Sequence, residues 1–261
     1  MRRIVVQVFR HGAMSQAQYY MGSVLQLLRA EGIEVKVVRG AAPHIDADVA
    51  ISHVDLTTIP DDHLQFLRNY PLVLNGKVTD ISKRHISRLR LSPEDRYEGH
   101  VIIKANRNCG GRPEAWLARQ GWLPGQHKVV SEYRVLKSKR DVNDEVWNDP
   151  DLIVERLCPE QVDGVYRLRM WKFLGDAETN TIAYSHDPIV KGRTTFRRED
   201  SGAVPDGLRQ IREELGFDYG KFDYGIVDGE VVLYDANRTP TISQPMQEEM
   251  PRIRAFAEAL K

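Results

Sequence analysis

The chain has 261 residues, 41% of them hydrophobic and 28% charged, which suits two or three compact units and excludes a disordered polymer. Lys plus Arg equals Asp plus Glu at 37 each, so no global field recruits nucleic acid or an anionic membrane, and any basic site must be local. No apolar run approaches the ~18 residues of a membrane span, MRRIVVQVFRHG is too soon interrupted for a signal peptide, and Cys109 and Cys158 lack CxxC spacing and read as reduced thiols in a cytoplasmic protein.

Residues 1–75 alternate strand and helix. Ile4 to Phe9 is β-rich, Ser15 to Ala30 carries helical apolar spacing with Gly32 as its stop, and Val35 to Val38, Val49 to Val54 and Leu72 to Leu74 return to strand. This pattern predicts a small α/β unit with a parallel sheet. Ligands of such sheets bind beyond the carboxyl ends of the strands, where Arg10, His11, His53 and Asp55 fall. Together these four are candidates for the acceptor side of a substrate pocket.

Residues 76–96 form a basic connecting segment, expected to be helical after an Asp80 or Ser82 cap, with Lys83, Arg84, Arg88 and Arg90 on it. A short buried strand then delivers Lys104 just before the loop NRNCGGRP. Glycines there let backbone N–H groups approach phosphate oxygens while the ammonium supplies a point charge, although the GK[ST] ending of a P-loop is missing. LIVERL at 152–157 is another buried run. In VYRLRMWKFL, at 165–174, alternation puts Arg167 and Arg169 on one face with Val165, Trp171 and Phe173, where they need anionic partners or salt bridges. Lys191, Arg193, Arg197 and Arg198 make a basic loop that either closes over phosphates or is simply exposed, and amphipathic helices are expected from Pro205 to Leu215 and from Gln247 onward.

Phe222 to Val227 and Val231 to Asp235 read as strands around the hairpin signal Asp228-Gly229. Asp235 and Asn237 point to one face, and Asp223 offers a third oxygen. A two-residue loop would pair Val227 with Glu230 and put Asp223 and Asp235 on opposite faces. A shared metal is therefore expected to require a loop of residues 228–230, pairing Val227 with Val231 and Asp223 with Asp235. Oxygen ligands of this kind suit Mg²⁺ completed by nucleotide phosphates; the alternative is a hairpin of solvated acids.

Taken in order, a lysine on a connecting segment, a lysine before a Gly-containing loop, Glu-Arg-Leu, an arginine strand and Asp…Asp-x-Asn resemble the ATP-grasp superfamily, in its glutathione synthetase and ribosomal-protein glutamate ligase branch. The likeness covers most of the chain and is most specific in DYGKFDYGIVDGEVVLYDANRTP. It implies an α/β and α+β architecture: a small N-terminal parallel α/β domain (1–75), a lid subdomain (76–157) and a C-terminal subdomain with the metal site (158–261). It further implies that Lys83 and Lys104 touch the ATP phosphates and that the loop with Asn108, Gly110 and Gly111 covers them. Glu155, Arg156 and Leu157 would form the adenine hinge, with Glu160 or Asp163 near the ribose. Arg169 and Arg167 would face the γ-phosphate, with Lys191 of the basic loop as a further catalytic candidate. Asp223, Asp235 and Asn237 would hold two Mg²⁺ ions, for which Mn²⁺ can substitute. Asp235 departs from the Glu that most relatives carry.

The reaction so implied is ADP-forming ligation of a small-molecule carboxylate to an amine through an acyl phosphate. An ATP-grasp kinase acting on a hydroxyl and a non-catalytic nucleotide-binding module are the alternatives. Neither nucleic acid nor membrane is an expected partner, and a homodimer is the default assembly.

Overall fold

A computed structural model describes residues 2–12, 18–242 and 246–261. β1 (Arg3–Val8), buried on both faces, is flanked in parallel by β2 (Glu34–Arg39) and β3 (Val49–Ser52), and β4 (Val73–Leu74) completes the order β2-β1-β3-β4. Helix α1 (Tyr20–Ala30) buries Tyr20, Met21, Val24, Leu25 and Leu28 against this sheet. Its end is set by Gly32, whose φ of 84° lets Ile33 N–H reach Leu28 O at 3.0 Å and close the last turn. The expected helical start at Ser15 lies outside the described residues. Helix α2 (Asp61–Leu67) leads into β4.

The next unit is a three-stranded antiparallel sheet. The one-turn helix α3 (Lys83–Ile86) precedes β5 (Val101–Ala105); α4 (Arg112–Arg119), β6 (Arg134–Leu136), α5 (Asp144–Asn148) and β7 (Leu152–Arg156) follow, with strand order β6-β5-β7. The helix expected over residues 76–96 is confined to α3. Beyond it the chain runs extended along β7, with Leu91 N–H on Val154 O and Arg156 N–H on Leu89 O, each at 2.9 Å. Arg84 is not on a solvated face, because its guanidinium donates to Asp149 O at 2.9 Å and Leu152 O at 3.1 Å.

β8 (Glu160–Val162), β9 (Val165–Leu174), β10 (Ala177–Ser185), β11 (Thr195–Asp200), β12 (Tyr219–Val227) and β13 (Glu230–Asn237) form a six-stranded antiparallel sheet. Its order is β11-β10-β9-β12-β13, with β8 on β9. Helix α6 (Asp206–Leu215) packs Leu208 and Ile211 against Trp171, Phe173 and Phe222 on one face. On the other face Leu174 and Tyr219 join the core made by α1 and the last helix, α7 (Met246–Ala259). The first unit is also tied to this sheet by polar groups. Asn75 donates from Nδ2 to Tyr219 O at 2.7 Å, and the fully buried Arg238 donates to the carbonyls of Val54 at 3.1 Å and Thr57 at 2.7 Å, and to those of Leu56 and Val78.

His53, just past β3, is 2% exposed, packs edge-on to Tyr19 at 5.0 Å, and has no hydrogen bond to either ring nitrogen. Burial pulls its pKa down to about 3. The unfolded chain, with an ordinary histidine near 6.5, then binds one more proton between those values, so stability rises with pH across that window and is lost as pH falls through it. Urea denaturation should show about 2–3 kcal/mol of His53-dependent loss between pH 7.5 and pH 4.5. His53→Phe should flatten that slope by close to one proton.

Candidate active site

The β12–β13 hairpin does bring Asp223 opposite Asp235, but by a different route from the expected odd loop. Asp228 and Gly229, at φ 53° and 83°, make a two-residue turn of the I′ kind, and Val227 pairs with Glu230. Parity is corrected four residues later. The register passes from Tyr224↔Leu233 to Asp223↔Asp235, so Tyr234 is the extra residue of a β-bulge. Its hydroxyl donates to Cys158 O at 2.7 Å, and its ring lies where a Cβ on Gly225 would come within 2.3 Å of the hydroxyl oxygen, so only glycine fits there. The Tyr234 carbonyl accepts from Lys104 Nζ at 3.0 Å.

Around the two acids the charges are paired tightly. Lys83 is 3% exposed and holds Asp235 Oδ1 at 3.0 Å. Burial alone would lower the lysine and raise the acid, but the pair outweighs it: Lys83 is held above the usual lysine range and Asp235 below the usual carboxylate range. Asp223 behaves oppositely. Burial pushes its pKa up despite the Lys221 ammonium 3.0 Å from Oδ1, an oxygen that receives no hydrogen bond. Asn237 lies on the same strand face as Asp235, and its Oδ1 accepts from Thr239 N–H at 2.8 Å. Among the described residues no group of three or more His, Cys, Asp and Glu side chains forms a metal cluster. The candidate set is two carboxylates and one amide, whose oxygens, one of them buried without a hydrogen bond, fit a hard cation such as Mg²⁺.

Asp223, Asp235 and Lys221 line the end of a cleft of about 450 Å³ between the three-stranded and six-stranded sheets, while Lys83 and Asn237 lie outside its walls. Its other end is apolar, with Leu89, Ile102, Leu157, Pro159 and Ile189 among its walls. Lys104 lies in the wall beside Glu155, at 2.6 Å, and its third ammonium proton has no partner. Lys191 reaches over the Tyr133 ring at 4.4 Å, and both residues line the cleft. Glu155, Arg156 and Leu157, the residues expected to form an adenine hinge, line it too, although the N–H groups of Arg156 and Leu157 are already bonded to Leu89 O and His100 O at 2.9 Å.

Several expected residues fall elsewhere. Asp223 pairs with Met170 across β9, so the acidic face carries the even-numbered residues of that strand, and Arg169 projects from the opposite face. There it donates twice to Glu160, at 2.8 Å each, and to Ser201 Oγ at 2.7 Å, the salt-bridge alternative for these arginines. Arg167 lines the cleft while its guanidinium leans toward Glu160 at 3.8 Å. Glu160 itself is 3% exposed and also accepts from Ile226 N–H at 2.8 Å, and neither it nor Asp163, in the β8–β9 turn, lines the cleft.

The Gly-containing loop is outside the cleft walls as well. Cys109, Gly110 and Gly111 are left-handed in succession, and added Cβ atoms at the two glycines would lie 2.4 Å from Val130 O and 2.7 Å from Lys128 O. Their smallness thus serves packing against residues 128–130. Asn108 faces the first unit, with its N–H on Thr57 Oγ1 at 2.9 Å. Asp55 there accepts from Tyr19 and Thr239 hydroxyls, both at 2.7 Å. Arg10 pairs with Asp62, and His11 stacks on Trp122 at 4.4 Å, so neither lines the cleft.

Arg198 of the basic loop lines the cleft, and so do Lys221 and Tyr133, which were not singled out in the sequence. Lys221 was findable, because it precedes Asp223 by two residues on a strand and must share its face. Tyr133, in a stretch without periodicity, carried no signal.

No protein-family model matches the chain, and no curated protein does. Solved structures do. The ATP-grasp ligase PsnB complexed with a minimal precursor superposes with a TM-score of 0.57 at 13% identity, covering 100% of each chain. A RimK domain ATP-grasp protein from Sphaerobacter thermophilus gives 0.54 at 13%, covering 98% of each. The RiPP-associated ATP-grasp ligase of Chryseobacterium gregarium, solved with ADP and a leader and core peptide, gives 0.53 at 8%, covering 99% of this chain and 96% of that one. The chain has the ATP-grasp fold.

If Arg169 serves Glu160 rather than nucleotide, Arg169→Met should leave nucleotide affinity unchanged within about twofold while stranding a buried carboxylate. Calorimetric melting should then register a loss of about 3 kcal/mol or more.

Proposed function

We propose that this chain is an ATP- and Mg²⁺-dependent carboxylate–amine ligase. The observation that carries the reading is the convergence, at one end of a partly apolar cleft, of two facing carboxylates with Lys104 and Lys221, and with Lys83 buried against Asp235. A nucleotide base suits the apolar end and a metal-bound triphosphate the charged end. PsnB has been solved with Mg and ADP as well as its precursor, at a TM-score of 0.54, which supports placing nucleotide and metal here.

Asp223, Asp235 and Asn237 would hold Mg²⁺, which supplies charge neutralisation between the β- and γ-phosphates. Lys104, with one unspent proton, and Lys83 bind phosphate oxygens. Lys221 faces the oxygens of the transferred group. A substrate carboxylate oxygen attacks the γ-phosphorus, the bond to the β-bridging oxygen breaks, and ADP leaves. The amine nitrogen then attacks the acyl carbon, phosphate departs with the carbon–oxygen bond, and the amine proton passes to solvent. Preorganised cations do most of the work, and no protein nucleophile is required.

Calorimetric titration with a non-hydrolysable ATP analogue tests this directly. Wild type should bind in a Mg²⁺-dependent manner. Lys104→Ala should weaken binding about tenfold, the worth of a charge-assisted hydrogen bond, and Asp235→Ala should abolish the Mg²⁺ dependence. Acyl hydroxamate formed on adding hydroxylamine during ADP release separates the ligase from a kinase. Absence of nucleotide binding by the wild type would overturn the proposal.

A further inference from the structure

On the acidic face of the six-stranded sheet the cross-strand pairs run in a fixed sequence. Met170 lies beside Asp223, Lys172 beside Lys221, and Leu174 beside Tyr219 in the core of the first unit. Two lysines therefore share a face in the row of Asn237, one pair along from Asp223 and Asp235. Like charges directly opposite on adjacent strands are unfavourable, and each lysine has its own acid. Lys172 Nζ reaches Glu249 Oε1 of α7 at 2.9 Å and Tyr20 hydroxyl of α1 at 3.2 Å, while Lys221 relies on Asp223. Arg252 adds positive charge from α7, 3.5 Å from Glu249, and also pairs with Asp200. Arg198 of β11 lines the cleft and, among the described residues, has no hydrogen bond or ion pair. Burial, then the charges of Lys221, Arg252 and Arg198, weaken the hold of Lys172 on its proton, with Asp223 opposing.

The local balance depends on what Asp223 is doing. With Asp223 paired to Lys221 and Glu249 to Lys172, only Arg198 lacks an acid. A divalent cation drawing on Asp223 changes this, since one carboxylate then serves the metal and Lys221 faces Lys172 with nothing to neutralise it. The resulting excess of cations borders the charged end of the cleft, which Lys221 and Arg198 line and behind which Lys172 is buried.

We propose that Lys172, Lys221 and Arg198 form a seat for the carboxylate of the acid substrate, and that the seat gains its affinity only when a divalent cation occupies Asp223. The inference rests on the ligase reading and deepens it: it places the acid, and it makes acid binding follow metal–nucleotide binding. The coupling is reciprocal, so a bound acid also tightens the metal–nucleotide. Glu249 is not displaced. It neutralises one of three cations and leaves a seat of net positive charge for a single carboxylate.

The test uses the full chain with succinate as the carboxylate probe, followed by saturation-transfer NMR, with the non-hydrolysable ATP analogue present throughout. Succinate should bind with Mg²⁺ present and at least about tenfold more weakly in its absence, a coupling of the usual allosteric size. Arg198→Ala, an exposed change, should weaken succinate about tenfold while altering Mg²⁺–nucleotide affinity by less than about twofold. Lys172→Met leaves Glu249 without its ammonium, so Lys172→Met/Glu249→Gln is measured beside it and should also lose succinate. Equal binding of succinate with and without Mg²⁺, or binding untouched by both the Arg198 and the double variant, would overturn the inference. Mg²⁺–nucleotide binding without any succinate binding would sink the seat and spare the ligase reading. Failure of Mg²⁺–nucleotide to bind would sink both.

Discussion

The facing of Asp223 and Asp235 is the constraint on which the site depends. Side chains on a strand alternate with a period of two, so the count of residues between two positions on a hairpin decides whether they share a face. The tight Asp228-Gly229 turn sets that count wrongly for a shared ligand, and the bulge at Tyr234 sets it right. The same bulge frees a carbonyl from the ladder, and Lys104 of the other sheet takes it. One inserted residue thus places a carboxylate and also helps to hold the two walls of the cleft together.

Electrostatics around the cleft are organised as matched pairs: Lys83 with Asp235, Lys221 with Asp223, Lys104 with Glu155 on the other sheet, and Lys172 with Glu249. Buried charges tolerate this arrangement only while each has its partner. A ligand that takes one partner therefore changes the requirements of the next. The pairing of Arg169 with Glu160 lies on the opposite face, where the buried Glu160 accepts twice from Arg169 and once from Ile226 N–H.

The first unit is fastened to this machinery. Arg238 follows Asn237 directly and gives its guanidinium to carbonyls past the end of β3 and to Val78, and burial lowers its pKa to about 10 against the charges of Asp55, Asp80 and Glu114. Thr239 connects to Asp55 in the same region. The candidate metal-ligand position and the loop after β3 are consequently one structural element, although some 180 residues separate them in the chain.

Local pattern alone determined the parallel α/β unit, from the alternation of apolar runs over Ile4 to Leu74, and the final hairpin, from its β-branched strands and Asp-Gly turn. It also determined that Asp235 and Asn237 share a face, because two residues on one strand need no tertiary information. Only the folded chain decided the rest, and the reasons are physical. A bulge is invisible to periodicity, so the route by which Asp223 meets Asp235 was misread. Arg169 of β9 was assigned to the ligand although Trp171 and Phe173, in step with it, mark the face that α6 covers, whereas Arg167 does line the cleft. Lys83 and Lys104 found their partners more than fifty residues away, and the glycines at 110 and 111 proved to answer to backbone approaching from residues 128–130. Strand parity can be counted in a sequence; which parity faces the ligand depends on what the other face is packed against.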